Sequence, residues 1–237
     1  MELIRYVSVG STQDTARQLA LAAHPLPFTV LAGTQSRGRG RLGKQWSSPH
    51  GGLWLTMALR VPSAESVRQA ALVAAFSTAH ALQTVAPLEV SVKWPNDLLV
   101  KRKKICGILA ETLVLPDRTI LLLGIGVNVS NTIDDKALPR ATSLTNELHR
   151  HVHTDGLLSA IMAQADQDVT SLAERGFSVF LPWLQSHLAL VGETVAIELN
   201  DQRECGRVQG LSETGALLLT DVNGLIREAD AGSIYSW

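Results

Sequence analysis

At 237 residues the chain has room for one large domain, or for a large one and a small one. Hydrophobic residues make up 46% and charged ones 18%, which excludes a largely disordered chain. The 21 basic and 22 acidic side chains give a net charge of -1, which excludes nucleic-acid binding through bulk electrostatics and makes any anion site a local one. Cys106 and Cys205 lie far apart without a Cys-x-x-Cys partner, so neither a zinc ribbon nor a disulfide scaffold is expected. The first residues include Glu2 and Arg5 and form no apolar signal core, and no apolar run approaches about 18 residues. The chain therefore reads as a soluble, cytoplasmic protein kept reduced.

In chain order, Ser11 reads as the N-cap of a helix continuing through Thr15–Ala23, with Asp14 favouring its positive end. Phe28–Ala32 is rich in β-branched and aromatic residues and reads as a strand. Gln35–Lys44 carries three glycines and four cations in ten positions, which predicts an irregular loop. Leu53–Val61 reads as a strand ended by Pro62. Ser63–Ala86 reads as a buried helix with Val67, Ala70, Ala71, Ala74 and Ala75 on its inner face. Val90–Trp94 is a short strand closed by the turn Pro95-Asn96-Asp97. Leu98–Val100 and Lys104–Leu115 form a hairpin with a cationic tip, followed by an apolar strand over Thr119–Val129. Leu144–Glu174 reads as helical with a polar break at His149–Asp155, and Phe177–Leu190 as a further helix despite Pro182. Strands in sequence with helices set to the side predict an α+β domain. After Gly192 come four short strands, Glu193–Leu199, Cys205–Leu211, Ala216–Thr220 and Leu225–Ala229. They are separated by turns at Asn200-Asp201, Glu213-Thr214-Gly215 and Asn223-Gly224, the pattern of a small β-barrel. The boundary is set between residues 1–188 and 189–237.

The segment from Gln35 to Lys44 is the most informative for chemistry. Its glycines permit close backbone approach, and its arginines offer planar, bidentate donors for carboxylate or phosphate. It is neither a Walker A loop nor a dinucleotide fingerprint. Anion binding, a solvated loop and an Arg-Gly RNA contact all fit this composition. Asp97 and Lys104 are seven residues apart across the hairpin and meet if it closes, which would let Lys104 neutralise developing negative charge. A solvated cation run is the bland alternative. Gly124 and Gly126 would let a ligand lie against the strand that ends at Asn128. Trp46 and Trp54 either wall a pocket or fill the core. His149, His151 and His153 read as a solvated connector rather than a metal site, and no hydrolase triad is present.

Gln35-Ser36-Arg37-Gly38-Arg39-Gly40-Arg41-Leu42-Gly43-Lys44-Gln45-Trp46-Ser47-Ser48-Pro49 resembles the signature loop of the biotin protein ligase family. Lys93–Asp97 with Lys104–Leu109 resembles its second motif, and Gly124–Val129 its third. The order and spacing agree over nearly the whole chain. The resemblance implies a catalytic domain similar to class II aminoacyl-tRNA synthetases, with an SH3-like C-terminal barrel. It implies an adenylate-forming ligase that uses ATP and Mg2+ to convert biotin to biotinyl-5′-AMP. The biotinyl group then passes to a lysine of the biotin carboxyl carrier protein of acetyl-CoA carboxylase. Carried over by position, Ser11, Thr12, Gln13 and Gln35 hold the biotin ring, although residue 13 is usually Asn in the family. Gly38, Arg39, Gly40, Arg41, Lys104 and Gly107 complete the biotin side, and Arg39, Arg41, Trp46, Lys104 and Asn128 the nucleotide side. Lys104, Arg39 and Arg41 are the expected catalytic side chains, and Asp97 is a metal candidate. Some members carry an N-terminal DNA-binding module and act as repressors. Here the first motif begins at Ser11, which implies a ligase without DNA binding, and a homodimer through a sheet edge fits the fold analogy. The competing expectations are a lipoate or octanoyl ligase of the same superfamily, whose Arg-Arg-x-Ser-Gly-Gly-Gly signature is missing, and an RNA-binding module using Arg37, Arg39 and Arg41.

Overall fold

The computed structural model describes residues 1–61, 67–134, 136–199 and 202–236. The main sheet is built by β1 (Glu2–Val9), β2 (Phe28–Gln35), β3 (Leu53–Val61), β4 (Val90–Lys93), β5 (Asp97–Val100), β6 (Lys103–Leu115) and β7 (Arg118–Val127). Their spatial order is β1-β2-β3-β7-β6-β5-β4. β1 and β2 run parallel and the other neighbours antiparallel, which makes the sheet mixed. β1 is the strand that sequence reasoning passes over. It lies at the sheet edge and most of its residues are exposed, so it carries no clean alternation; Val7 is 92% exposed. Its pairing is set by β2, from Glu2 opposite Phe28 to Val9 opposite Gln35.

The helices are α1 (Thr12–Leu21), α2 (Val67–Val85), α3 (Leu144–Leu148), α4 (Thr154–Arg175) and α5 (Leu181–Ser186). They cover both faces of the sheet, and strand periodicity divides the core between them. On β3 and β7, Leu55, Met57, Leu121 and Leu123 face one cluster that contains Leu72, Leu82 and Ile161 of α2 and α4. Ala58, Ile120 and Leu122 face the other cluster, with Ala16 and Ala20 of α1. Successive strand residues point to opposite faces, so strands buried on both sides read as unbroken apolar runs.

The expected helix over Ser63–Ala86 is present as α2. Its first residues, Ser63 to Ser66, and the inward placement of Val67 lie outside the described residues, while Ala70, Ala71, Ala74 and Ala75 are buried as expected. The polar break falls between α3, which ends at His149 in the left-handed region (φ 52°), and α4. The helix expected over Phe177–Leu190 requires correction. A 3-10 turn at Phe177–Val179 leads into α5, where Pro182 sits in the first turn and removes no helical hydrogen bond. The helix stops at Ser186 because the chain then pairs with β4: Val92 N–H donates to His187 O and Ala189 N–H to Val92 O, both at 2.8 Å.

The C-terminal part folds into β8 (Thr194–Leu199), β9 (Gln202–Leu211), β10 (Leu217–Thr220), β11 (Ile226–Ala229) and β12 (Ser233–Ser236). They form an antiparallel sheet ordered β11-β10-β9-β8-β12. The expected turn at Asn200-Asp201 lies outside the described residues, and β12 joins the four predicted strands. This sheet shares the larger core, since Val195, Ile197, Val208 and Leu217 belong to the same cluster as Leu72. Gly215, in a turn with φ +83°, is seated where an added Cβ would lie 3.0 Å from Leu72 and 3.2 Å from Phe177. Its carbonyl accepts a 3.0 Å hydrogen bond from Nε1 of the buried Trp94. Trp94→Phe keeps an aromatic ring and removes this donor, leaving a buried carbonyl short of a partner. We expect a loss of about 1–2 kcal/mol of unfolding free energy, read by urea denaturation.

Candidate functional site

A cleft of about 970 Å³ opens beside the start of α1, between the segment 35–49, the inner ends of β6 and β7, the chain 128–141 and β12. Its floor is a hydrogen-bonded set of short polar side chains. The Thr12 amide donates to Gln35 Oε1 (2.7 Å), and Gln35 Nε2 donates to Ser48 Oγ (2.7 Å). The Thr56 hydroxyl lies 2.9 Å from Thr12 Oγ1 and 3.1 Å from Gln13 Oε1. Gln13 Nε2 in turn donates to Leu122 O (3.1 Å) and Glu111 Oε2 (3.3 Å). Ser11 occupies the N-cap position with extended backbone, but its side chain makes no capping bond. Its buried Oγ lines the cleft without a hydrogen-bond partner. A buried hydroxyl in that condition is matched by a ligand with a polar edge.

The segment predicted as an irregular loop contains no named strand, and a few backbone contacts order it. Arg39 and Gln45 bridge antiparallel, Gly40 N–H donates to Lys44 O at 2.7 Å, and Trp46 N–H donates to Gly38 O at 2.9 Å. A 3-10 turn at Arg41–Gly43 forms the tip, with Leu42 at φ 54° and Gly43 at φ 71°. Gly43 takes one of the two positive φ values at no steric cost, Gly38 and Gly40 permit close backbone contacts, and the segment borders the cleft as a lid. Arg41 Nη1 donates to Asn96 Oδ1 (3.2 Å), and Arg39 is held by Asp14 (2.7 Å) and Glu111 (2.6 Å). The Trp46 ring meets Trp54 edge-on at 6.2 Å, with the Lys104 ammonium 4.9 Å from its centroid. Gly107 and Gly126 make room for that ring: added Cβ atoms would lie 2.9 and 2.6 Å from it. Trp46 thus walls the cleft, whereas Trp54 is a core residue.

The second motif delivers charge. A bulge in the β5–β6 ladder, between Leu98 opposite Cys106 and Leu99 opposite Lys104, re-aims the strand at Lys104. Lys104 Nζ lies 2.7 Å from Asp97 Oδ1, an ion pair without hydrogen-bond alignment. The Lys104 backbone is strapped to the chain beyond β7, with its N–H donating to Arg140 O (2.6 Å) and its O accepting from Thr142 (2.9 Å). Asn128 lines the same cleft, its Oδ1 accepting from Asn131 Nδ2 at 3.1 Å. Burial lowers the Lys93 ammonium to about 8, with Asp97 opposing and Lys104, Lys44 and Arg140 adding to the fall. Burial likewise lowers Arg41, again against the pull of Asp97. Among the described residues, five cationic side chains line the cleft (Arg39, Arg41, Lys44, Lys93 and Lys104) against two carboxylates, Asp97 and Asp134. The chain as a whole is close to neutral, but this cavity favours anions.

The site residues predicted from sequence all line the cleft except Gly38. That glycine instead packs the lid's base, where a Cβ would meet Trp46 O and the Ser48 hydroxyl. Asp97 faces Lys104, Lys93 and Arg41, and no group of three or more His, Cys, Asp or Glu side chains suited to a metal occurs among the described residues. A magnesium ion carried in by a nucleotide takes most of its oxygens from phosphates and water, so a single carboxylate such as Asp97 is what the protein would add. His149, His151 and His153 are exposed and away from the cleft. Sequence reasoning missed Glu111 and Asp14 as anchors of Arg39, and missed Asn131, Leu138, Ser233 and Ile234 in the lining. No local pattern marks them; they arrive through β6, the post-β7 chain and β12.

A lidded anion cleft on a mixed α+β scaffold defines the class. The family model for biotin/lipoate A/B protein ligases matches residues 6–129, and the chain belongs to that family. It is 30% identical over 230 residues to the bifunctional ligase/repressor BirA of Bacillus subtilis, covering 94% of this chain and 70% of that protein. It is 31% identical over 199 residues to the biotin–[acetyl-CoA-carboxylase] ligase of Paracoccus denitrificans, covering 80% and 82%. The structure of the biotin protein ligase from Aquifex aeolicus in complex with biotin and ATP superposes with a TM-score of 0.88 at 29% identity, covering 100% of this chain and 99% of that one.

Two outcomes are expected from this geometry. Gly126→Ala puts a methyl group into the Trp46 ring and displaces it, which a shift of tryptophan emission with intact far-UV circular dichroism reports. The half-buried Lys93 ammonium destabilises the fold below pH 8, and that cost fades between about 8 and the ordinary 10.5, above which the lysine is deprotonated in both states. The stability advantage of Lys93→Met over the parent is therefore largest at pH 7 and shrinks toward pH 10.5, as thermal melts across that range measure.

Proposed function

We propose that the chain is an ATP-dependent biotin–protein ligase. The observation that carries this reading is the excess of cationic side chains over carboxylates in a lidded cleft whose floor holds an unpartnered buried hydroxyl, Ser11. Ser11, Thr12, Gln13 and Gln35 offer donors and acceptors for a neutral, cyclic urea. Arg39, Arg41 and Lys104 stand where the carboxylate of that substrate would meet the α-phosphate of MgATP.

A carboxylate is a poor electrophile, and adenylation cures this. One carboxylate oxygen bonds to the α-phosphorus, the bond to the β-phosphate bridge oxygen breaks, and pyrophosphate leaves. Two anions must approach each other, so Lys104 and Arg41 lower the barrier mainly by neutralising charge that is held in place beforehand. Asp97 orients Lys104 through their 2.7 Å pair. Trp46 and Asn128 line the nucleotide side. In the second half-reaction a neutral lysine amine of the carrier attacks the carbonyl carbon, AMP leaves, and the amine loses a proton. We place the carrier as the biotin carboxyl carrier protein of acetyl-CoA carboxylase. The lid keeps the mixed anhydride away from water and from other amines. Both cysteines are free, as suits the reducing cytoplasm that also supplies ATP.

Biotin-dependent pyrophosphate release, followed by a mass gain on an added carrier domain, tests the assignment, and stabilisation of the protein by lipoate but not biotin overturns it. Lys104→Ala should abolish adenylate formation with the thermal midpoint unchanged, and pyrophosphate release at the parent rate would refute the role of that lysine. Arg41→Gly should loosen the lid tip and label bystander lysines; labelling confined to the carrier would refute shielding.

A further inference from the structure

Glu111 stands behind the cleft wall rather than in it, yet it is the point where the floor and the lid meet. One carboxylate oxygen accepts from Arg39 Nη2 of the lid at 2.6 Å. The other accepts from Arg17 Nη2 of α1 (3.0 Å) and from Gln13 Nε2 of the floor (3.3 Å). Asp14, in the first turn of α1, takes the second amino group of Arg39 at 2.7 Å. The side chain of Glu111 is only 21% exposed, against 39% for Arg39 and 49% for Asp14, so Glu111 is the better shielded of the two anchors. Gln13 is long enough for its Oε1 to accept from Thr56 while its Nε2 donates to both Leu122 O and Glu111. A shorter Asn at this position would have one methylene less with which to span that gap.

We propose that Glu111, seconded by Asp14, is a positioning residue that latches the lid through Arg39 and couples its closure to the occupied state of the floor at Gln13. Glu111 itself does not line the cavity where Lys104 and Arg41 converge, so the latch reaches a bound anhydride only through the lid, and its main effect is on retention. This inference rests on the ligase reading for its activity arm only; the contacts that hold the lid are a property of the chain.

The test uses the full-length protein. Glu111→Gln keeps the size of the side chain and an acceptor for Gln13 while removing its charge. Asp14→Asn removes the other anchor and leaves Glu111 in place. Amide hydrogen exchange read by mass spectrometry over residues 37–46 should accelerate about three- to tenfold in each variant, the range for partly exposed charge-assisted pairs, with exchange in β3 and β7 unchanged. With biotin and ATP supplied, escape of the adenylate to free amines should rise by a similar factor, while pyrophosphate release at saturating substrate stays within about twofold of the parent. Parent-like lid exchange in both variants overturns the latch. Acceleration spread evenly through the sheet also overturns it, because it shows a merely structural carboxylate. If lid exchange accelerates as stated but the parent makes no adenylate, the latch stands and the ligase reading fails.

Discussion

One carboxylate facing three cations sets the character of this molecule. Asp97 lies 2.7 Å from Lys104 and also faces Arg41 and Lys93, both of which burial drives toward their neutral forms. Burying like charges together destabilises a fold unless something returns the cost. Here the large apolar core offsets that cost, and five cationic side chains among the described residues line the cleft against two carboxylates. The net charge of -1 over the whole chain gives no sign of this local excess.

The fold places those charges by small local devices. The extra residue at the β5–β6 bulge turns Lys104 toward Asp97. The absence of side chains at Gly107 and Gly126 admits the Trp46 ring, which brings the base of the lid against the sheet. The lid is ordered by its own backbone bonds, so its arginines are presented at defined positions and less conformational entropy is lost when they engage a partner.

Much of this was legible in the order of residues, and the failures share a cause. Strands buried on both faces announce themselves as unbroken apolar runs, as β3 and β7 do, and a buried helix by its period, as α2 does. The proximity of Asp97 and Lys104 followed from closing a hairpin. The exposed edge strand β1 carried no period, and the end of α5 was decided by pairing of Leu188 with Val92, a contact between distant segments. The order within the lid was hidden because its glycines disfavour both helix and strand, and that order comes from backbone bonds across the segment. In the site, residues inside motifs were recoverable. Glu111 and Ser233 were not, since they reach the site through β6 and β12 rather than through neighbouring sequence.

The hydrogen bond from Trp94 to Gly215 joins the motif that carries Asp97 to a turn of the C-terminal sheet. The small sheet is therefore a buttress rather than an appendage. Grafting a different module there, or clipping it away, would slacken the foundation on which the charged residues stand, and the chemistry would drift although every residue that performs it had been left untouched.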